Sequence, residues 1–182
     1  MDRVYRLLGE RLPDWSDIHF WFSDERCVPP DHEESIFRLV QETLVVPGAE
    51  VHRAPGELGP EEGAQVYAEN VGDVVLDVAL LGMGPDGHTA SLFPGHPALA
   101  ADGVTAPVRD SPKPPPERIT LTLPYLNSSH RILLVVTGAS KADALARVIS
   151  GPDEQTPASL LHRDRLEIVA DGAALGTAAP QA

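Results

Sequence analysis

The sequence predicts an α/β protein: an open, mostly parallel Rossmann-like sheet with helices on both faces, in one domain spanning residues 1–182. Three observations carry that expectation. Short apolar runs at Ile18 to Phe22, Val74 to Leu81, Ile132 to Val136 and Leu166 to Val169 read as strands. Segments with helical apolar spacing separate them. At 42% hydrophobic and 23% charged residues, the 182-residue chain has the size and composition to bury a single core.

Taken in order, residues 3–12 read as a helix with Val4, Leu7 and Leu8 on one face, stopped before Pro13. The strand Ile18 to Phe22 ends in the polar turn Ser23-Asp24-Glu25-Arg26. Asp31 is placed to cap a helix on which Ile36, Leu39, Val40 and Leu44 recur, to about Val46. A loop with Pro47, Pro55 and Pro60 precedes a helix from Glu61 to Val71. Seven of the eight residues Val74 to Leu81 are apolar, as in a parallel strand buried on both faces. The prolines at 107, 112, 114, 115 and 116 mark a stiff irregular loop, and the apolar rhythm resumes on either side of it. Ile119 to Leu123 alternates with threonine, which suits a half-exposed strand. Ile132 to Val136 is closed by Thr137-Gly138, Ser140 to Ile149 reads as a helix, and Pro157 to His162 as a short one. From Ala173 the tail is expected to be loose.

Composition excludes several classes. With 14 basic and 27 acidic residues the net charge is −13, so nucleic acid and anionic membranes are not expected partners. One cysteine, Cys27, rules out a disulfide framework and reads as a small buried residue rather than a nucleophile. No apolar run approaches the ~18 residues of a membrane span, and the first ten residues lack the apolar core of a secretory signal. A cytoplasmic setting is expected. His19, His32, His52, His96, His130 and His162 are scattered without the i,i+4 pairing of a helical metal site, so no metal is expected.

The chemistry concentrates after the strand at Val74 to Leu81. Gly82-Met83-Gly84-Pro85-Asp86-Gly87 matches a dinucleotide-loop pattern, but its context does not. Pro85 removes an amide, Pro94 and Pro97 interrupt any following helix, and Asp102 sits in loop sequence. No nicotinamide cofactor is expected. His88 follows this loop at a strand's carboxyl end, where an imidazole can take a proton from water or a hydroxyl. Asp86 is placed to orient that ring or to cap a short helix, capping being the simpler role. Arg26 is a planar fork suited to phosphate or carboxylate, with a surface ion pair to Asp24 or Glu25 as its plain alternative. Thr137-Gly138-Ala139-Ser140-Lys141 ends a strand and opens a helix, which suits anion binding or simple capping equally. A guanidinium, an imidazole and an ammonium therefore converge on one sheet edge. That set fits an uncharged reacting centre with an anionic handle.

The segments Trp21-Phe22-Ser23-Asp24-Glu25-Arg26-Cys27-Val28-Pro29, Leu81 to Pro94, Arg118-Ile119-Thr120-Leu121-Thr122 and Thr137 to Lys141 resemble the 6-phosphogluconolactonases. The likeness runs in order from about Trp15 to Val169. The related glucosamine-6-phosphate deaminases share the fold and the Asp-Gly-His core, but Thr89-Ala90-Ser91-Leu92-Phe93-Pro94 is similar to the lactonase version. The resemblance implies hydrolysis of 6-phospho-D-glucono-1,5-lactone, a small phosphorylated sugar lactone, without metal or organic cofactor. It implies His88 as the base for water, Arg26 and Lys141 on the phosphate, Asp24 positioning Arg26, and Gly84 beside the substrate. Family members begin with a further strand ending in a Ser-Gly-Gly-Ser-Thr-Pro phosphate loop, which nothing here resembles. The sheet is accordingly expected to be amino-terminally truncated: either Met1 is internal to a longer protein or the chain is a shortened form. Deaminase-type activity and a non-catalytic sugar-phosphate-binding remnant stand as the alternatives.

Overall fold

The structure, a computed structural model, describes residues 2–11, 14–44 and 48–177. Along the chain run α1 (Asp2–Arg11), β1 (His19–Trp21), β2 (Asp24–Arg26), α2 (Ile36–Thr43), β3 (Glu50–His52), α3 (Pro60–Val71) and β4 (Val78–Gly82). Then follow β5 (Thr105–Val108), β6 (Arg118–Leu121), α4 (Leu123–Ser128), β7 (Arg131–Val136), α5 (Ala142–Ser150) and β8 (Leu166–Ala170). The α/β class and the parallel pairing are as expected. β1 pairs with β3, and β4, β7 and β8 lie in that order, every pair parallel. Among the described residues, β1 has a ladder partner only in β3, and β4 only in β7.

A second, antiparallel sheet of order β2-β6-β5 departs from expectation. Asp24 to Arg26, read as a turn, is a strand laid against Arg118 to Thr120. Its charged side chains hid it, because edge strands tolerate charge that central strands do not. β5 was obscured by Pro107, which a ladder margin tolerates because it needs no amide on its open side. β6 lies between them and is buried at all four residues, not half-exposed. Its threonine hydroxyl survives burial by donating to a carbonyl, Thr120 Oγ1 to Leu121 O at 3.0 Å.

Other expectations shift at their ends. β4 starts at Val78, which is 47% exposed, so the predicted coverage of both faces fails at its amino end. Ser35, not Asp31, caps α2, its hydroxyl accepting from the Arg38 amide. That helix ends at Thr43, and Val46 lies outside the described residues. Ser140 falls in a single 3-10 turn and α5 begins only at Ala142, so the expected serine cap is absent. α4 was not expected. Thr122 caps it, accepting from the Tyr125 amide, and Pro124 sits in its first turn, where no amide partner is needed. On α1 the packed side chains are Tyr5 and Leu8, while Leu7 is exposed. Residues 173–177 are tied down rather than loose. Asp171 Oδ1 accepts from the Ala174 amide at 2.7 Å, and Ala174 is buried.

One apolar core joins the two larger sheets to α3, α4 and α5. It contains Tyr67, Leu81, Leu92, Ile119, Leu126, Ile132, Leu134 and Leu145. Burying each such side chain is worth about 1.5–3 kcal/mol. Tyr67 also ties this core to β1, because its hydroxyl accepts from the Phe22 amide and donates to the Phe22 carbonyl. A smaller cluster of Phe22, Val40 and Leu44 lies under α1 and α2. Among the described residues no helix is long and apolar enough to cross a membrane.

Candidate active site

The loop after β4 is built to hold one imidazole. The Gly87 amide donates to Gly84 O (3.0 Å) and the Gly84 amide to His88 O (2.9 Å), closing a tight turn. Gly87 has φ +88°, a left-handed value that disfavours a side chain. Gly84 is required for space: a Cβ there would lie 2.1 Å from His88 Cε1 and 2.6 Å from Asp86 Oδ1. In this turn His88 Nδ1 lies 2.5 Å from Asp86 Oδ1. Because the carboxylate can only accept, Nδ1 carries the proton and Nε2 is left with its lone pair. Nε2 makes no hydrogen bond among the described residues. The Asp86 side chain thus orients the ring, beyond the capping role that seemed simpler.

The loop is fastened to the rest of the fold through polar contacts. The Thr89 hydroxyl donates to Gly82 O (2.9 Å), the Ser91 amide to Thr120 Oγ1 (3.2 Å), and the Ser91 hydroxyl to Asp24 Oδ2 (2.7 Å). Asp24 therefore braces the histidine loop; its hydrogen bonds are to Ser23 and Ser91 rather than to Arg26. Phe93 lies against the imidazole with ring centroids 4.6 Å apart.

The cations around this imidazole are only partly those expected. Arg26 shares a face of β2 with Asp24 by strand alternation, opposite Arg118 on β6. Its Nη1 donates to Glu34 O at 2.7 Å, and its Nε is buried without an acceptor. It forms no ion pair with Asp24 or Glu25. Lys141 follows β7 just as the His88 loop follows β4, and the parallel register of those strands sends both loops to the same sheet edge. Its ammonium makes no hydrogen bond or ion pair among the described residues. The ammonium beside the imidazole is Lys113, with Nζ 3.3 Å from His88 Nδ1 and 3.5 Å from Asp86 Oδ2. Arg118 holds it there by donating to the carbonyls of Lys113 (2.9 Å), Pro114 (3.1 Å) and Pro115 (3.1 Å). The one signal for Lys113 in the sequence was a lone cation inside a stiff proline run.

Burial is the largest influence on His88 and pulls its pKa below the ordinary 6.5; Asp86 opposes this, and Lys113 adds to it. The ring is consequently neutral at neutral pH. Burial tends to raise the Asp86 carboxyl, but the hydrogen bond and charge of His88, with Lys113, hold it below the usual range. Burial first, and then Glu117 and Glu25, push the Cys27 thiol up to about 12, which fits a packing residue and not a nucleophile. A neutral imidazole oriented by a carboxylate beside cations can deprotonate water and stabilise negative charge. Elsewhere, His19 and His52 are brought together beside Glu50, contrary to the scatter seen in the sequence. Among the described residues His88 belongs to no such group of three.

A family model described as glucosamine-6-phosphate isomerases/6-phosphogluconolactonase matches residues 1–170. A human protein named 6-phosphogluconolactonase is 44% identical over 153 residues, covering 77% of this chain and 59% of that protein. A Mycobacterium bovis protein of the same name is 42% identical over 158 residues, covering 77% and 64%. The solved structure of 6-phosphogluconolactonase from Thermotoga maritima is similar with a TM-score of 0.82 at 32% identity, covering 93% of this chain and 79% of that one. The chain spans less than two thirds of the length of either curated relative.

Proposed function

The chain belongs to the family of glucosamine-6-phosphate isomerases and 6-phosphogluconolactonases, and on that premise we propose that it hydrolyses 6-phospho-D-glucono-1,5-lactone to 6-phospho-D-gluconate, in the oxidative pentose phosphate pathway. The observation that carries this reading is the His88–Asp86 pair, with Nε2 unengaged and Lys113 alongside. Nε2 takes a proton from water as the oxygen attacks the lactone carbonyl. The carbonyl oxygen becomes an oxyanion, which Lys113 is the nearest ammonium to stabilise. Collapse breaks the ring C–O bond, and the proton held on Nε2 passes to the departing ring oxygen. One water is consumed and no metal or organic cofactor takes part. Arg26, whose buried Nε lacks an acceptor among the described residues, and Lys141, whose ammonium is unpaired among them, supply the cations for the 6-phosphate. Gly84 lets the ring lie close to the substrate, and Asp24 braces the loop through Ser91. A reducing compartment, the cytoplasm by default, suits a chain with a single cysteine.

The test is lactone loss measured over its spontaneous hydrolysis. Folded wild-type chain that matches the buffer blank would overturn the reading. Ammonia release from glucosamine 6-phosphate would move the chain to the isomerase side of the family. Thermal stabilisation by 6-phosphogluconate without turnover would make it a binding protein.

Two further results are expected. Protonating His88 removes the base, so kcat/KM should be flat through neutral pH and fall on the acid side, with a midpoint below the ordinary 6.5. Lys113→Met removes a neighbouring positive charge, makes the imidazole easier to protonate, and should move that limb to higher pH; Asp86→Asn should move it lower. Gly84→Ala drives a methyl into the imidazole and the Asp86 carboxylate. Displacing a reacting group by about 1 Å costs about 100-fold, so kcat should fall by that order, as steady-state rates would show.

A further inference from the structure

We propose that His19, Glu50 and His52 form a binding site for a divalent ion of the zinc type, separate from the His88 site. β1 and β3 are in parallel register with His19 opposite Glu50 and Trp21 opposite His52. Side-chain alternation therefore projects all four residues onto one face of the ladder. His19 Nδ1 lies 2.9 Å from His52 Nε2, and Glu50 Oε2 lies 3.5 Å and 3.8 Å from those same two nitrogens. A circle through three atoms at these separations has a radius of about 2.0 Å, the length of a zinc–imidazole or zinc–carboxylate bond. One ion can thus reach all three ligand atoms without backbone movement.

The ligand chemistry agrees. Two imidazoles and a carboxylate, with the remaining position left to water, are a set that zinc and its neighbours in the first transition row accept. The Trp21 indole stacks on His52 at 3.9 Å between centroids and 5° between planes, which limits that ring's freedom before any ion arrives. Without an ion the two imidazoles face each other and share one proton between their nitrogens. Binding needs that proton on the outer nitrogen of its own ring, a change of tautomer that frees both facing lone pairs for the ion. His19 and Glu50 are 53% and 67% exposed, so the ion enters from solvent and these two side chains can adjust to it. The net charge of −13 favours cations near the surface. The bound ion would clamp β1 to β3, a ladder of three residue pairs.

The experiment titrates zinc into the full chain, without a polyhistidine tag, by calorimetry, with melting curves in zinc and in EDTA and the visible spectrum of the cobalt(II) form. One zinc per chain, a raised Tm and cobalt absorption in the visible are expected. Losing an outer-shell partner already weakens metal sites by about 10–100-fold, so His52→Ala and Glu50→Gln should each weaken zinc by at least tenfold and abolish the rise in Tm. Their melting in EDTA should match the wild type, which shows that they fold. His88→Ala should bind zinc as the wild type does. No zinc binding, undiminished binding in either His52→Ala or Glu50→Gln, or binding lost in His88→Ala would overturn the proposal.

Discussion

Replacing His88 with alanine is expected to lower kcat for lactone hydrolysis by about 10²–10⁴-fold, the usual contribution of a positioned general base. At about 1.4 kcal/mol per tenfold, that is about 3–5 kcal/mol of barrier. The residue earns this rank through its geometry: Asp86 fixes the tautomer at 2.5 Å, and burial keeps the ring neutral. The loop should survive the change, because its turn is closed by backbone bonds at Gly84 and Gly87 and its anchors are Thr89 and Ser91. Melting should therefore shift little, and added imidazole should restore part of the rate. Both readouts separate a missing base from a disturbed fold. A variant that turns over within a few-fold of the wild type would place the base on another residue.

Glu25→Ala is expected to have the largest effect on stability. Glu25 is 3% exposed, and its carboxylate accepts from the amides of Arg26, Ile36 and Phe37, each at 2.7 Å, and from the Ser35 hydroxyl at 3.1 Å. It satisfies the free amides at the start of α2 and joins that helix to β2. Each buried donor left without a partner costs about 1–3 kcal/mol. With some donors recovering water, the sum should be about 3–5 kcal/mol. Urea unfolding should show a lower midpoint at unchanged slope. A loss below about 1 kcal/mol would mean that the amides find other acceptors. Because β2 also carries Asp24 and Arg26, activity should melt away together with the fold in this variant.

How much of this was legible follows from how local each feature is. The Gly84–His88 turn is written in consecutive residues, and glycine and proline constrain the backbone wherever they occur, so the loop and its histidine could be read directly. The buried positions of β4 and β7 were legible because apolar runs report burial without reference to a partner, whereas the apolar run of β8 marked a strand whose Ile168 and Val169 are exposed. Lys113 was not legible. Its place beside His88 depends on Arg118 holding three carbonyls of the proline loop, and nothing in the spacing of those residues reveals that grip. Asp24 was assigned to Arg26, its neighbour two residues on, whereas its firm partner is Ser91, 67 residues away. β2 and β5 were missed because charge and proline argue against strands until the ladder margins they occupy are known.

Chain composition and local pattern alone were enough for an acidic α/β domain, its parallel strands and a histidine presented at a strand's carboxyl end. Folding in three dimensions chose which cation stands beside that histidine, which carboxylate braces its loop, and that His19 and His52 meet beside Glu50. Periodicity and turn chemistry act over a few neighbouring residues and leave a mark in the sequence. Contacts across 25 to 67 residues depend on strand pairing and register, which no short window encodes.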